Sequence, residues 1–201
     1  GDLDTALDYF GRSLSIREEV GDKYGIGGSL DSIGIVHKDK GDLDTALDYY
    51  GRSLAINEEL GGKYGMGFNL LGIGIVHHDK GDYDKAEEYL DKSLAIQKET
   101  RFKLIELETT IYLYLSYKHL GREYDEKQIH SLIKDAKKIE FDLNYAIYQL
   151  LEDTSYLEIA YNQMQENADN LEPNVKAKFL DYPIPKAIVE EWENLQIDSS
   201  G

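Results

Sequence analysis

The ten residues GDLDTALDYF at the start of the chain return forty residues later as GDLDTALDYY. The echo runs further. Of the 40 positions in residues 1–40, 29 are identical in residues 41–80. GRSLSIREEV becomes GRSLAINEEL, SIGIVHKDK becomes GIGIVHHDK, and a weaker third pass begins GDYDKAEEYLDKSLAIQKE at Gly81. A fixed period of this length marks an array of small units that bury their apolar faces only by stacking on one another. No single-core globular fold needs such a period.

Each unit divides into two helical stretches. In residues 44–60, Ala46, Tyr50 and Leu54, with Leu47, recur at spacings of four and seven, which places them on one side of a helix. Asp44 stands just ahead of the apolar pattern, and Asp4 and Asp84 match it one unit away. These carboxylates are expected to accept the free N–H groups of the first turn. Gly61 and Gly62 are expected to end the helix. A second stretch, about 63–79, holds Leu70, Ile73, Gly74, Val76 and His77. A glycine in mid-helix costs about 1 kcal/mol relative to alanine. Gly74, and Gly34 one unit earlier, are therefore expected where another helix backbone comes close. Prolines number only three, so long helices are allowed, and 41% hydrophobic residues suffice for a continuous core.

These residues resemble the tetratricopeptide repeat. The small mid-helix residue is matched by Gly34 and Gly74, and the aromatic-type residue three positions on by His37 and His77. The turn glycine is matched by Gly41, Gly81 and Gly121, the early alanine of the second helix by Ala46 and Ala86, and the large residue after it by Tyr50 and Leu90. The match covers residues 1–121, and the forty-residue unit resembles the longer-helix variety found in scaffold and signalling proteins. The resemblance implies an all-α fold: a right-handed superhelical solenoid of antiparallel helix pairs with C-terminal capping helices. Longer-unit members often carry an asparagine that grips a bound peptide. Ser32 and Gly72 stand there, so that grip does not carry over. The Lys/Asn/Arg set that clamps a chaperone tail is not visible either.

The expected organisation is a truncated repeat at 1–20, repeat units at 21–60 and 61–100, a divergent unit at 101–140, a degenerate helix pair at 141–171, and capping helices with a tail at 172–201. GREYDEKQIHSLIKDAKKIE reads as one helix with Asp125 as its cap. DLNYAIYQLLED and TSYLEIAYNQMQENADNL read as a pair with Tyr145, Tyr148 and Leu151 on one face. NVKAKFLDYPIPKAIVEEWENL reads as a short helix, a Pro-X-Pro break and a last helix whose apolar side carries Ile188, Val189, Trp192 and Leu195. This end is also similar to the tails of repeat regions in bacterial multidomain signalling proteins such as nucleotide cyclases and kinases.

Residue 1 falls at the turn inside a unit, so the leading helix reads as the second half of a repeat, cut from a longer chain. Leu3, Leu7, Phe10 and Leu14 are then expected to face a vacancy and to self-associate, giving a homodimer through the uncapped helix.

The formal charge of −17 repels phosphate backbones and anionic lipid, so no nucleic acid and no membrane partner is expected, and a cationic or apolar peptide fits better. Cysteine is absent, which removes disulfide and thiolate chemistry and allows a reducing compartment; the cytoplasm is the expected one. No apolar run approaches the roughly 20 residues of a membrane span, and the acidic opening GDLDTALD has no secretory pattern.

No catalytic residue, metal or cofactor is expected. Adjacent side chains on a helix diverge, so His77 and His78 cannot share one ion, and His37 and His77 read as packing in the family's tyrosine slot. The glycines at 25–28 and 72–74 have no preceding strand and no following Lys-Ser/Thr, so they do not read as a phosphate loop. Glu18-Glu19, Glu58-Glu59, Glu87-Glu88 and Glu190-Glu191 read as solvated pairs, and DLDT lacks the spacing of a calcium loop.

The surface expected to carry function is the groove lined by the first helices. Its side chains are Asp31, Ile35 and Lys38, then Phe68, Leu71, Ile75 and His78, then Ile111, Leu115 and Lys118. Ile35, Ile75 and Leu115 would form an apolar strip beside a Lys38, His78, Lys118 column, taking a peptide or protein segment of a partner with Phe68, Leu71 and Ile75 as anchors and the column selecting an acidic flank. The alternative is a non-catalytic spacer or oligomerisation module of a larger signalling protein, with the groove closed or self-filled.

Overall fold

A computed structural model describes residues 2–101, 103 and 105–198, so the expected tail at 199–201 lies outside the described residues. The described residues form eleven α-helices and no strand. They divide into two compact units, one over Leu3–Asp135 and one from Ala136 onward.

The first unit contains α1 (Leu3–Val20), α2 (Lys23–Asp39), α3 (Leu43–Leu60), α4 (Lys63–Asp79), α5 (Tyr83–Thr100), α6 (Glu106–His119) and α7 (Glu126–Asp135). Each helix packs on the next, and alternate helices α2, α4 and α6 also touch. That is the neighbour-to-neighbour packing of a solenoid of helix pairs. Gly61 closes α3 at φ +64°, the left-handed conformation that glycine adopts without a Cβ penalty.

Ala46, Tyr50, Ile73 and Val76 form one buried cluster. The mid-helix glycines make room for large side chains of the following helix, and at Gly74 for its backbone as well, since a Cβ there would lie 3.4 Å from Leu90 N. A Cβ on Gly34 would lie 2.9 Å from the Tyr50 ring, and one on Gly74 would lie 2.6 Å from Leu90 Cγ.

The expected caps sit two residues too late. Asp42 and Asp82 occupy the positions before α3 and α5, while Asp44 and Asp84 lie inside the first turn. There they reach across to the next repeat. Lys40 Nζ binds Asp4 Oδ1 at 2.6 Å, Lys80 binds Asp44 in the same way, and Arg122 lies 3.5 Å from Asp84. A second series joins Lys23 to Glu59 and Lys63 to Glu99. Four of these pairs, all but that of Arg122, span 36 residues.

The second unit contains α8 (Phe141–Leu151), α9 (Thr154–Asp169), α10 (Pro173–Asp181) and α11 (Pro183–Asp198). Its core is Tyr145, Leu157, Ala160, Met164, Ala168, Phe179 and Ile188, with Val189, Trp192 and Leu195 packed at its edge. The helix expected through residue 140 stops at Asp135. The carbonyl of Ile139 instead accepts from the side chains of Asn144 and Gln163, each at 3.1 Å. Pro183 and Pro185 are not a break but lie in the first turn of α11, where a missing N–H costs no helical bond. The interruption falls at Tyr182, which is extended at ψ 152°.

Candidate functional site

A polar relay recurs inside the array at the forty-residue period. The second helix of each repeat carries a serine and, one turn later, a longer polar residue: Ser13 and Arg17, Ser53 and Asn57, Ser93 and Gln97. In the central copy, Ser53 Oγ donates to the Gly27 carbonyl at 2.8 Å and lies 3.2 Å from Asn69 Oδ1. Asn57 Nδ2 donates to the same Asn69 oxygen at 2.9 Å. With its oxygen held, Asn69 turns Nδ2 toward α2 and donates to Asp31 Oδ1 at 2.6 Å. The following copy is similar but ends differently. Ser93 Oγ donates to the Gly67 carbonyl at 2.8 Å, and Gln97 Nε2 donates to Thr109 Oγ1 at 2.8 Å.

Asp31 is the charged end of this relay. Burial pushes its carboxyl up to about 6, against the opposing pull of the Asn69 hydrogen bond. It borders a cleft of roughly 620 Å³ formed by α2, the C-terminal half of α3 and the first turns of α4. Tyr24, Tyr64 and Phe68 line it with Asp31, and glycines at 27, 28, 61, 62 and 65 keep its walls low. Tyr24 and Tyr64 are one period apart and remain 65% and 56% exposed. Lys63 also borders the cleft, with its ammonium on Glu99.

The structure divides the ten expected groove residues. Asp31 and Phe68 line the cleft. Ile35 is 43% exposed, and Lys38 is half-buried with its ammonium 3.1 Å from Asp39. Leu71, Ile75, Ile111 and Leu115 are buried, so the expected exposed strip is not there beyond Ile35. Alternate helices touch, and these side chains fill the space around α4 and α6 instead of facing water.

His78 is not a groove residue of the expected kind either. Its Nδ1 lies 3.0 Å from Ser116 Oγ, and its ring packs against Tyr83 and Tyr112. Burial, and then the charge of His119, pushes it down to about 4, so it is neutral at pH 7. Lys118 is half-buried on α6. His37 and His77 stack on Tyr49 and Tyr89 with ring centroids 5.5 Å apart, and each reaches an aspartate, Asp42 or Asp82. His77 and His78 thus point into different surroundings.

Leu3, Leu7, Phe10 and Leu14 are half-buried rather than bare, because α1 lies on α2. No residue of α1 is fully buried, and its exposed large apolar side chains are Tyr9, Ile16 and Val20.

The relay residues Ser53, Asn57 and Asn69 were missed by periodicity, which weights apolar positions. Their signal was available: polar side chains returning at the same core-facing places in successive units.

A tetratricopeptide repeat family model matches residues 1–59 and 25–99. No curated protein matches the chain. Tetratricopeptide repeats are in general non-enzymatic scaffolds for protein–protein interaction. The helix-pair packing, the turn glycines and the mid-helix glycines fitted to Tyr50 and Leu90 agree with that match, and over residues 1–99 the chain belongs to the tetratricopeptide repeat family.

Proposed function

We propose that this chain is a non-catalytic binding module that takes a peptide or protein segment on the face formed by α2 and α4. The cleft is the observation that carries this reading. Its roughly 620 Å³ has the size of a side-chain or small-ligand site, and it combines aromatic walls with polar side chains, Asp31, Asn57 and Asn69 among them. Asp31, Ile35, Lys38 and Phe68 from the expected groove make the contact, joined by Tyr24 and Tyr64. Leu71, Ile75, Ile111 and Leu115 support the face from beneath, and no cofactor takes part. The repeat units on this reading are 21–60, 61–100 and 101–140, and the module works in the cytoplasm.

A spacer or oligomerisation module is the second reading. The burial of Leu71, Ile75, Ile111 and Leu115 favours it, because a face with its apolar strip already covered has less to offer a partner. The exposed Tyr9, Ile16 and Val20 of α1 would then hold a second copy.

Fluorescent nine-residue peptide pools with randomised sequence separate the two. The double substitution Tyr64→Ala, Phe68→Ala should abolish pool binding while leaving the helical circular dichroism unchanged. Binding that survives the substitution, or is absent from the unmodified protein, would reject the binding-module reading. A concentration-independent monomer in light scattering would reject self-association through α1.

A further inference from the structure

Asp31 breaks its own repeat. One and two periods later the same position holds Leu71 and Ile111, both buried aliphatic residues. A carboxylate in their place has a cost, since desolvation disfavours its charged form. The surroundings only partly offset that cost. Asn69 supplies one neutral donor to Oδ1, and its amide is locked from behind by Asn57 and Ser53. A carboxylate offers about four lone-pair sites on two oxygens, so Asn69 leaves most of that capacity unused. Among the described residues no cation pairs with Asp31. The nearest candidate on the cleft wall, Lys63, is turned to Glu99.

The rest of the cleft complements a cation as well. Tyr24, Tyr64 and Phe68 line it. A guanidinium is the one common side-chain group that both forks onto a carboxylate and stacks on aromatic rings. The overall charge of −17 draws cationic segments toward the surface.

We propose that this cleft is a receptor for one cationic side chain of a bound peptide, arginine foremost, with Asp31 as its counter-charge and Tyr24, Tyr64 and Phe68 as its aromatic wall. The proposal rests on the peptide-binding reading above and names the chemistry that reading leaves open. Its partner is a basic peptide segment. The acidic partner implied by a Lys38, His78, Lys118 column is not favoured, because Lys38 is paired with Asp39 and His78 is neutral and enclosed.

The test uses three labelled nine-residue pools with randomised flanks and a fixed central residue: arginine, its neutral near-isostere citrulline, or glutamate. Fluorescence anisotropy on the purified chain should rank arginine at least about tenfold tighter than citrulline, with glutamate weakest. Asp31→Asn and Asp31→Leu should each bring the arginine pool to the citrulline level. The leucine variant installs the residue type of the next repeat, and urea unfolding of both variants verifies that they are folded. Equal affinity for the arginine and citrulline pools would overturn the cation receptor while leaving peptide binding intact. An arginine preference that persists in both variants would overturn the assignment to Asp31. No binding of any pool would overturn the receptor together with the peptide-binding reading.

Discussion

Replacing Asp31 by asparagine should make the protein more stable at neutral pH, although it removes a hydrogen-bonded charge. The carboxyl titrates near 3.8 when unperturbed and is pushed up to about 6 in the folded chain by burial, with Asn69 opposing. At about 1.4 kcal/mol per pH unit, the difference amounts to about 3 kcal/mol against folding once the group is ionised in both states. The sign follows from proton binding. Between about pH 4 and 6 the folded chain holds a proton that the unfolded chain has released. The penalty is therefore absent below about pH 4, grows as pH rises through that window, and is complete above about pH 6. Asparagine keeps the shape, carries no charge, and can still accept from Asn69 through Oδ1. Asp31→Asn should thus gain about 3 kcal/mol at pH 8, and about half of that at pH 5. In a domain of this size the full gain corresponds to roughly 6–12 °C in melting temperature. Both conditions lie above the isoelectric point near 4.6, so both proteins stay anionic. Asp79 is also raised to about 6 by burial, but it is present in both proteins and cancels in their difference. Urea unfolding followed by circular dichroism at the two pH values provides the measurement. A variant less stable than the parent at pH 8, or a gain as large at pH 5 as at pH 8, would refute the reasoning. A confirmed gain would mean that the chain carries Asp31 at the expense of its own stability, as residues kept for binding often are.

Three further outcomes can be measured on the same footing. Gly74→Ala should destabilise by about 1–3 kcal/mol, because its Cβ would lie 2.6 Å from Leu90 Cγ and overpacking outweighs the better helix propensity; a second substitution, Leu90→Val, should recover part of the loss in urea unfolding. Leu71→Asp should unfold the array rather than only block a partner, since it buries an unpaired charge at a cost of about 3–5 kcal/mol; retained helicity by circular dichroism would contradict this. Arg101→Gly should raise stability by roughly 0.5–1 kcal/mol, since Arg101 holds φ +55° where the equivalent residue one period earlier is Gly61; a lower melting temperature would show that the arginine side chain matters more than its backbone.

Much of the fold was legible because glycine and repetition are local signals. Gly61 announced the end of α3, and Gly34 and Gly74 announced close approaches, by the Tyr50 ring at Gly34 and by both the side chain and the backbone N of Leu90 at Gly74. Caps were misread by one half-turn. Asp42 and Asp44 are both acidic and two residues apart, and the apolar pattern does not say which precedes the first turn. The groove was less legible than the fold. In α4 the residues Leu70, Leu71, Ile73, Ile75 and Val76 are all buried, so the apolar positions surround the helix and periodicity singles out no wet face. The bond between Asn69 and Asp31 joins residues 38 positions apart and depends on how neighbouring repeats lie, which no spacing along one helix encodes.

The ion pairs that reach from one repeat to the next give the array an interchangeable seam. Lys40 meets Asp4 as Lys80 meets Asp44 from one unit to the next, and inside the units 21–60 and 61–100 Lys23 meets Glu59 as Lys63 meets Glu99, so the regular part repeats the same two couplings. A duplicate of residues 41–80 inserted after Lys80 would find matching charges at both of its borders. Length is therefore a property this architecture can change in whole forty-residue steps, with no joint redesigned.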